Sequence, residues 1–489
     1  MRQGFLHRLG GAFGALTLML GSLLGLTSSV ALAAPLRIDV PCSVSGLIAA
    51  INTANANPNG GTLTLATQCT YTLTTAETPL DGLPIITGNV SIKGQGATIT
   101  RDDGAPLFRI FEVVSGGTLA VDFLTISNGD TAALGGAILV GGTADVSNST
   151  ISGNTAGNGG GISVSAGANL TLTTTTVSGN ASTGVGGAGI IVYGTAFVTR
   201  STFNDNTAPI NGGGINVQPS GVLTLINSTL VDNTSGGLGG AISNLGTAAL
   251  TNLTFSGNKA SSGDAIATGN AKVTLANSIV DDQAGDGECS PTGTINGSHN
   301  LDSDGSCVTS ATSHTISASY RLTLGPLQFN GGQTQTMLPS ANSTGVIDQI
   351  PATDCVAANV SNPGQTIAVT TDQRGINRPP NAHCDIGAVE LARQLSTFPA
   401  LTTVVYDAQG RNISSSGLTV KAFNIAPLNQ PWNGANGNFQ RQFMYNPWIV
   451  PGGSYQLVVI TSRLRRGTYA LSYEIEGDPA VYIIEFTVN

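Results

Sequence analysis

Charge is scarce in this sequence. Lys, Arg, Asp and Glu together make 10% of its 489 residues, well below the roughly 25% of an ordinary soluble domain. Helix surfaces need Lys, Glu and Arg, so a helical bundle is excluded. Aromatics stand at 5%, and both tryptophans, Trp432 and Trp448, lie near the end. Between 122 and 283 there is no His, no Glu and no Cys, and the basic residues are Arg200, Lys259 and Lys272. That stretch is short of acid–base partners. A net charge of −9 carried on few lysines makes nucleic acid and anionic membranes poor partners.

What remains is Gly, Thr, Ser, Asn and aliphatic residues, with a hydrophobic share of 40%. This mixture suits short strands joined by tight turns and excludes a disordered chain. The start reads as a signal peptide over 1–33. Arg2 and Arg8 precede an apolar run, and Ala31-Leu32-Ala33 offers a cleavage site. The expected protein is therefore exported, secreted or at the cell surface, with no transmembrane segment after cleavage. Six cysteines fit an oxidising compartment. Sequence alone does not choose their pairing. Local closure is the economical expectation: Cys42–Cys69, Cys289–Cys307 and Cys355–Cys384.

One phrase recurs through the middle of the chain. It reads Asn-Ser-Thr-Ile-Ser-Gly-Asn at 148–154, Thr-Thr-Thr-Val-Ser-Gly-Asn at 174–180 and Asn-Leu-Thr-Phe-Ser-Gly-Asn at 252–258. Counting flanking copies, its last position falls at 128, 154, 180, 206, 233, 258 and 283. A second phrase, as in Gly135-Gly136-Ala137-Ile138 and Gly239-Gly240-Ala241-Ile242, shares that period. Each unit holds about three short β-branched runs, such as Thr143–Val146, Asn148–Ile151 and Gly161–Val164. One such unit cannot bury its apolar face alone. Stacked coils can, each strand pairing with its copy about 4.8 Å away. The fold expected is all-β: a right-handed, single-stranded parallel β-helix of the pectin-lyase-like kind over 34–394. Ile151, Val177, Phe203, Leu230, Phe255 and Val280 would stack inward. The asparagines three residues later would stack at a turn, in the left-handed backbone that Asn tolerates. Residues 43–56 read as an N-terminal capping helix, with Leu47, Ile48 and Ile51 on one face and Ser43 or Ser45 as N-cap.

The Gly-Gly-Ala-Ile and Phe-x-x-Asn phrases, the latter complete in Phe203–Asn206 and Phe255–Asn258, resemble the repeats of chlamydial polymorphic outer-membrane proteins. A second set is similar to the choice-of-anchor Q class of bacterial surface proteins. It comprises Asn330-Gly331-Gly332-Gln333-Thr334-Gln335-Thr336, Ile347-Asp348, Asp372-Gln373-Arg374-Gly375, Arg378-Pro379 and Cys384-Asp385-Ile386-Gly387-Ala388-Val389-Glu390. These resemblances imply an exported β-helix held at, or released from, a cell surface. Residues 395–489 change composition and read as a small antiparallel β-sandwich, immunoglobulin-like in a loose sense. Its tyrosines either pack a core or meet sugar.

Candidate chemistry is sparse. Parallel β-helices also host polysaccharide lyases and glycoside hydrolases, whose reactions need carboxylates at the scissile bond. Asp281-Asp282 is the acidic doublet of the repeat and the catalytic candidate, the other reading being an exposed turn. Asn300-Leu301-Asp302-Ser303-Asp304-Gly305 resembles the opening of a calcium loop without its later Glu. Asn300, Asp302 and Asp304 are thus the calcium candidates, against a plain loop; no other cofactor is implied. His299, His314 and His383 are unpaired in sequence and read as structural or solvated. The leading expectation is a non-enzymatic adhesion or glycan- or matrix-binding protein whose partner is carbohydrate or a host surface. A polysaccharide lyase or glycoside hydrolase and a structural surface-layer component are the alternatives.

Overall fold

The computed structural model describes residues 36–391, apart from 283–286, 308–309, 318, 341–342, 359–364 and 379–382. Beyond 391 it describes the backbone of strand segments between 400 and 488. The expected signal peptide, Gln283 and both tryptophans lie outside the described residues.

One coil shows how the sequence turns. The strand Thr143–Ser147 ends at Asn148, whose φ is 49°; the strand Thr150–Ser152 ends at Gly153, φ 65°. A short strand, Thr155–Asn158, then leads to Gly159, φ 65°, and to the strand Ile162–Val164. Three left-handed corners thus bend the chain between straight runs of β-branched residues, and the same corners return in later coils. The second is Gly179, Asp205, Asp232 and Gly257. This corrects the expectation that the asparagine itself is left-handed. The residue before it takes the turn, which is why that position is Gly or Asp.

Each strand pairs in parallel with its copy in the next coil, giving a solenoid of about ten turns. Ile151, Val177, Phe203, Leu230, Phe255 and Val280 stack in register and are fully buried, as their spacing predicts. Burial of each such side chain contributes about 1.5–3 kcal/mol. At the lower end the helix Val44–Ala56 starts at Ser43, whose hydroxyl accepts from the Gly46 N–H. Its Leu47, Ala50, Ile51 and Ala54 join the solenoid core, with Ile48 at its edge. Disulfides join Cys42–Cys69, Cys289–Cys307 and Cys355–Cys384.

After the last coils the chain turns back along the outside. The described residues between 320 and 391 form a strap of turns and a short antiparallel pair, Val356–Ala358 with Thr366–Ala368. The strap is fastened to coils far away in sequence. Thr334 Oγ1 donates to Arg200 O at 3.0 Å, and Asn227 Nδ2 donates to Thr371 O at 2.7 Å. Gly387 N–H donates to Asn277 O at 2.8 Å. Beyond it, described strand segments from Ala400 to Val488 pair antiparallel in sheets of three and four.

Candidate functional site

Three features gather the polar side chains of the coils: an asparagine ladder, an outward column of hydroxyls, and the strap. Asn154, Asn180, Asn206, Asn233 and Asn258 form the ladder at the second corner, all essentially without solvent contact. The Oδ1 of each higher rung accepts both the main-chain N–H and the Nδ2 of the rung below, at 2.8–3.3 Å. A buried amide satisfied on every side stiffens the corner and leaves nothing free for a ligand. The ladder's ends depart by one residue from the repeat count. At the bottom Asn154 Oδ1 accepts from the Gly129 N–H, not from Asn128, which is a left-handed corner residue at φ 57°. At the top the rung after Asn258 is Asp282 rather than Gln283. Its Oδ1 accepts from Asn258 N at 2.8 Å and Asn258 Nδ2 at 3.0 Å.

The acidic doublet is therefore not an exposed turn. Asp281 pairs with Ser256 in the strand Ile279–Asp281, and both carboxylates are buried. Buried this way, neither is placed to touch a polymeric substrate. The calcium candidates sit one coil on. Asn300 is a rung of a second ladder at the first corner: its Oδ1 accepts from Ser278 N at 3.0 Å and its Nδ2 donates to Leu275 O at 2.6 Å. Asp302 accepts from the N–H groups of Gly305 and Cys307, and Asp304 from those of Glu288 and Ser306. Burial raises the Asp304 carboxyl, but the hydrogen bonds from Ser306 and Glu288 outweigh it and hold it below its ordinary range. Glu288, Asp302 and Cys307 bring ligand-type atoms within 4.8 Å of one another. Cys307 is spent in a disulfide, so its sulfur is no thiolate ligand. Structure thus joins Asp282 to Asp304 through Glu288 and separates Asn300 from them. Sequence reading passed over Glu288, because it stands alone in a loop with no repeat to flag it.

His299 and His314 are near enough for the charge of His314 to bear on His299. His299 Nε2 lies 3.7 Å from Asp354 Oδ2, with its pKa pushed down by burial. His314 stacks on Tyr320 at 3.9 Å, and His383 is exposed.

The outward column escaped the sequence reading too. Thr70, Thr98, Thr125, Thr150, Thr176, Thr202, Thr229 and Thr254 are register partners from coil to coil. Beside the first five run Thr72, Thr100, Ser127, Ser152 and Ser178. The signal was present: the residue before the inward Ile, Val, Phe or Leu is Thr in each copy from 125 to 254. Hydroxyls repeat at about 4.8 Å along the axis and about 6.6 Å across it. Through Thr176 they are exposed or half-buried; Thr202, Thr229 and Thr254 are buried beneath the strap. There Thr202 Oγ1 donates to Gln335 O at 2.6 Å, Thr229 Oγ1 donates to Gln373 Oε1 at 2.6 Å, and Thr254 Oγ1 accepts from Ala388 N at 3.1 Å.

Buried polar side chains hold this strap together. Asp372 accepts from Arg374 and from the Glu390 N–H. Gln373 Nε2 points into the coil surface at Ser201 O and Thr202 Oγ1. Arg378 is buried between Glu390 Oε2 at 2.8 Å and Asn227 Oδ1 at 3.2 Å. Burial and the charge of Asp385 push the Glu390 carboxyl up to about 7, against the pull of Arg378.

Comparison with known families agrees with the coil geometry. Residues 112–239 match the family described as a right handed beta helix region. This is a right-handed β-helix repeat protein. No curated protein and no solved structure matches the chain. The matched span of the β-helix runs through the open coils of Thr125, Thr150 and Thr176 and the covered coils of Thr202 and Thr229. Among the described residues, no helix is long and apolar enough to cross a membrane.

Proposed function

We propose that this chain is an exported, non-enzymatic protein, secreted or at the cell surface, that holds a glycan of a cell or matrix on its open hydroxyl wall. One observation carries the reading: a threonine column that bonds polar groups of the strap in three coils is left open in five. A neutral polysaccharide offers hydroxyl donors and acceptors at a regular repeat and suits such a wall.

The signal-like start, the cysteine usage and the resemblance to anchor-class surface proteins support export. On this reading the helix Val44–Ala56 caps the lowest coil and protects its edge. The sheets beyond 400 form a small sandwich that adds reach from the surface.

The test is a glycan array and whole-cell binding measured with the native chain and with Thr125→Val/Thr150→Val/Thr176→Val. These changes keep the β-branch and remove three hydroxyls. At about 0.5–1.5 kcal/mol per lost hydrogen bond, affinity falls tenfold or more. Unchanged binding by the triple variant overturns the reading, as does hydrolysis of a polysaccharide by a chain that binds no glycan.

A further inference from the structure

The asparagine ladder has a strict rule, and its last rung cannot obey it as an ion. In all five rungs the amide nitrogen donates to the oxygen of the rung above and to a main-chain carbonyl of the coil below. For Asn154 these are Asn180 Oδ1 at 3.0 Å and Ile126 O at 3.2 Å. For Asn258 they are Asp282 Oδ1 at 3.0 Å and Leu230 O at 2.9 Å. Asn180, Asn206 and Asn233 do the same. Asn154 and Asn258 also reach Ser152 O at 3.1 Å and Ser256 O at 3.5 Å in their own coils.

Asp282 keeps every part of the rule that an aspartate can keep. Its Oδ1 accepts the two Asn258 donors, and its own N–H donates to Glu288 Oε1 at 2.8 Å. Glu288 Oε1 is therefore the oxygen of the next rung. What remains is Oδ2, in the place of the amide nitrogen. It is buried and has no hydrogen-bond donor. By the ladder's repeat it faces the next rung's oxygen and the carbonyl of Phe255, the register partner of Leu230. Both are acceptors, so the position needs a hydrogen.

We propose that the ladder ends in a bound proton: Asp282 stands in its rung as a neutral carboxylic acid, and its Oδ2–H replaces the asparagine Nδ2–H between Glu288 Oε1 and Phe255 O. The charged groups facing Asp282 favour this. They are Glu288 and Asp264, both acidic, with Asp304 behind Glu288. Burial lifts the Asp282 carboxyl well above its ordinary range. The Asn258 bonds oppose that rise, and the charges of Glu288 and Asp264 add to it. Glu288 is pushed up to about 7, chiefly by burial, against bonds from Ser303 and the Asp282 N–H. A cation is the rival occupant. It is disfavoured because both oxygens of Glu288 already accept hydrogens, from Asp282 and Ser303, and those of Asp302 accept from Gly305 and Cys307.

The proton makes the upper coils sensitive to pH. The folded form binds it more tightly than the unfolded chain, whose Asp titrates near about 3.9. Stability from this rung is complete below that value and is lost as pH rises through the raised folded value. Two measurements on the full chain test the proposal. In thermal unfolding across pH, the native protein loses several °C as pH rises from acid past neutral. Asp282→Asn supplies a permanent Nδ2–H, makes that slope shallower, leaving the part due to Glu288 and Glu390, and is the more stable form at alkaline pH. In the infrared at neutral pH, the native chain shows more protonated carboxylic acid carbonyl absorption than Asp282→Asn, over the share that Glu288 and Glu390, each raised to about 7, give to both. The proposal is overturned if the native chain and Asp282→Asn carry that band with equal intensity. It is equally overturned if Asp282→Asn keeps the native slope, or if the slope disappears on adding calcium and returns with a chelator.

Discussion

The same wall of the β-helix is built twice, open below and covered above. In the open coils the strand Asn169–Thr173 alternates, with Leu170 and Leu172 inside and Thr171 and Thr173 half-buried outside. In the covered coils the alternation is gone: Leu223 to Val231 and Ala248 to Phe255 are buried throughout. Outward positions that are Thr or Ser below become Ile226, Val231 and Ile279 above. Ile226 packs with Ala357 and Val369 of the strap, and Ile279 with Val346, Ile350 and Ile386. A β-helix wall is thus not polar because it faces outward. It is polar where water, or a ligand with water's chemistry, is its partner, and apolar where the chain supplies its own cover.

Removing the cover's main fastening should break this contrast most. In Arg378→Ala, Glu390 is left buried without its partner, which costs about 3–5 kcal/mol. The strap then detaches and exposes Ile226 and Ile279, read as proteolysis within 320–391 while the open coils stay protected. The sign with pH is fixed by Glu390. Its raised carboxyl is neutral below about 7, so the damage shrinks as pH falls through that value. Equal damage at acid and alkaline pH would show that the loss is packing alone.

Gly387→Ala should act next in size. Gly387 has a φ of 99°, and an added Cβ would lie 2.6 Å from Ile279 Cδ1. Strain and overpacking together cost about 2–3 kcal/mol, and the strap loosens without losing any polar partner. A native melting curve and native protease resistance would mean that the strap tolerates a gap over Ile279.

These contrasts also mark what the residues disclosed. The coil period, the inward ladder and the stacked amides are local and repeat, so a few phrases define them. The ladder ends depart from the repeat count, with Gly129 N–H at the bottom and Asp282 at the top, because corner backbone rather than residue identity decides which group becomes a rung. Asp282 looked like surface acid only because its partner Glu288 carries no repeat. The strap was hidden for a different reason: its bonds join Thr334 to Arg200, Gln373 to Ser201 and Arg378 to Asn227, contacts that no short-range pattern encodes. Its shadow was nevertheless in the coils, in the adjacent apolar pairs Leu225-Ile226 and Leu230-Val231, which break the alternation.

The smallest effect separates the two halves of the column most cleanly. Thr229→Val removes the donor to Gln373 Oε1 and leaves that oxygen buried, at a cost of about 1–3 kcal/mol. Thr150→Val alters an outward, half-buried position and should change stability by no more than about 0.5 kcal/mol. Both substitutions keep the β-branch, so strand preference cancels between them. Paired denaturation curves therefore weigh one hydroxyl with a partner against one whose partner is proposed to lie outside the chain. If Thr150→Val proved as costly as Thr229→Val, the open column would be serving the fold itself, and its case as a glycan surface would weaken accordingly.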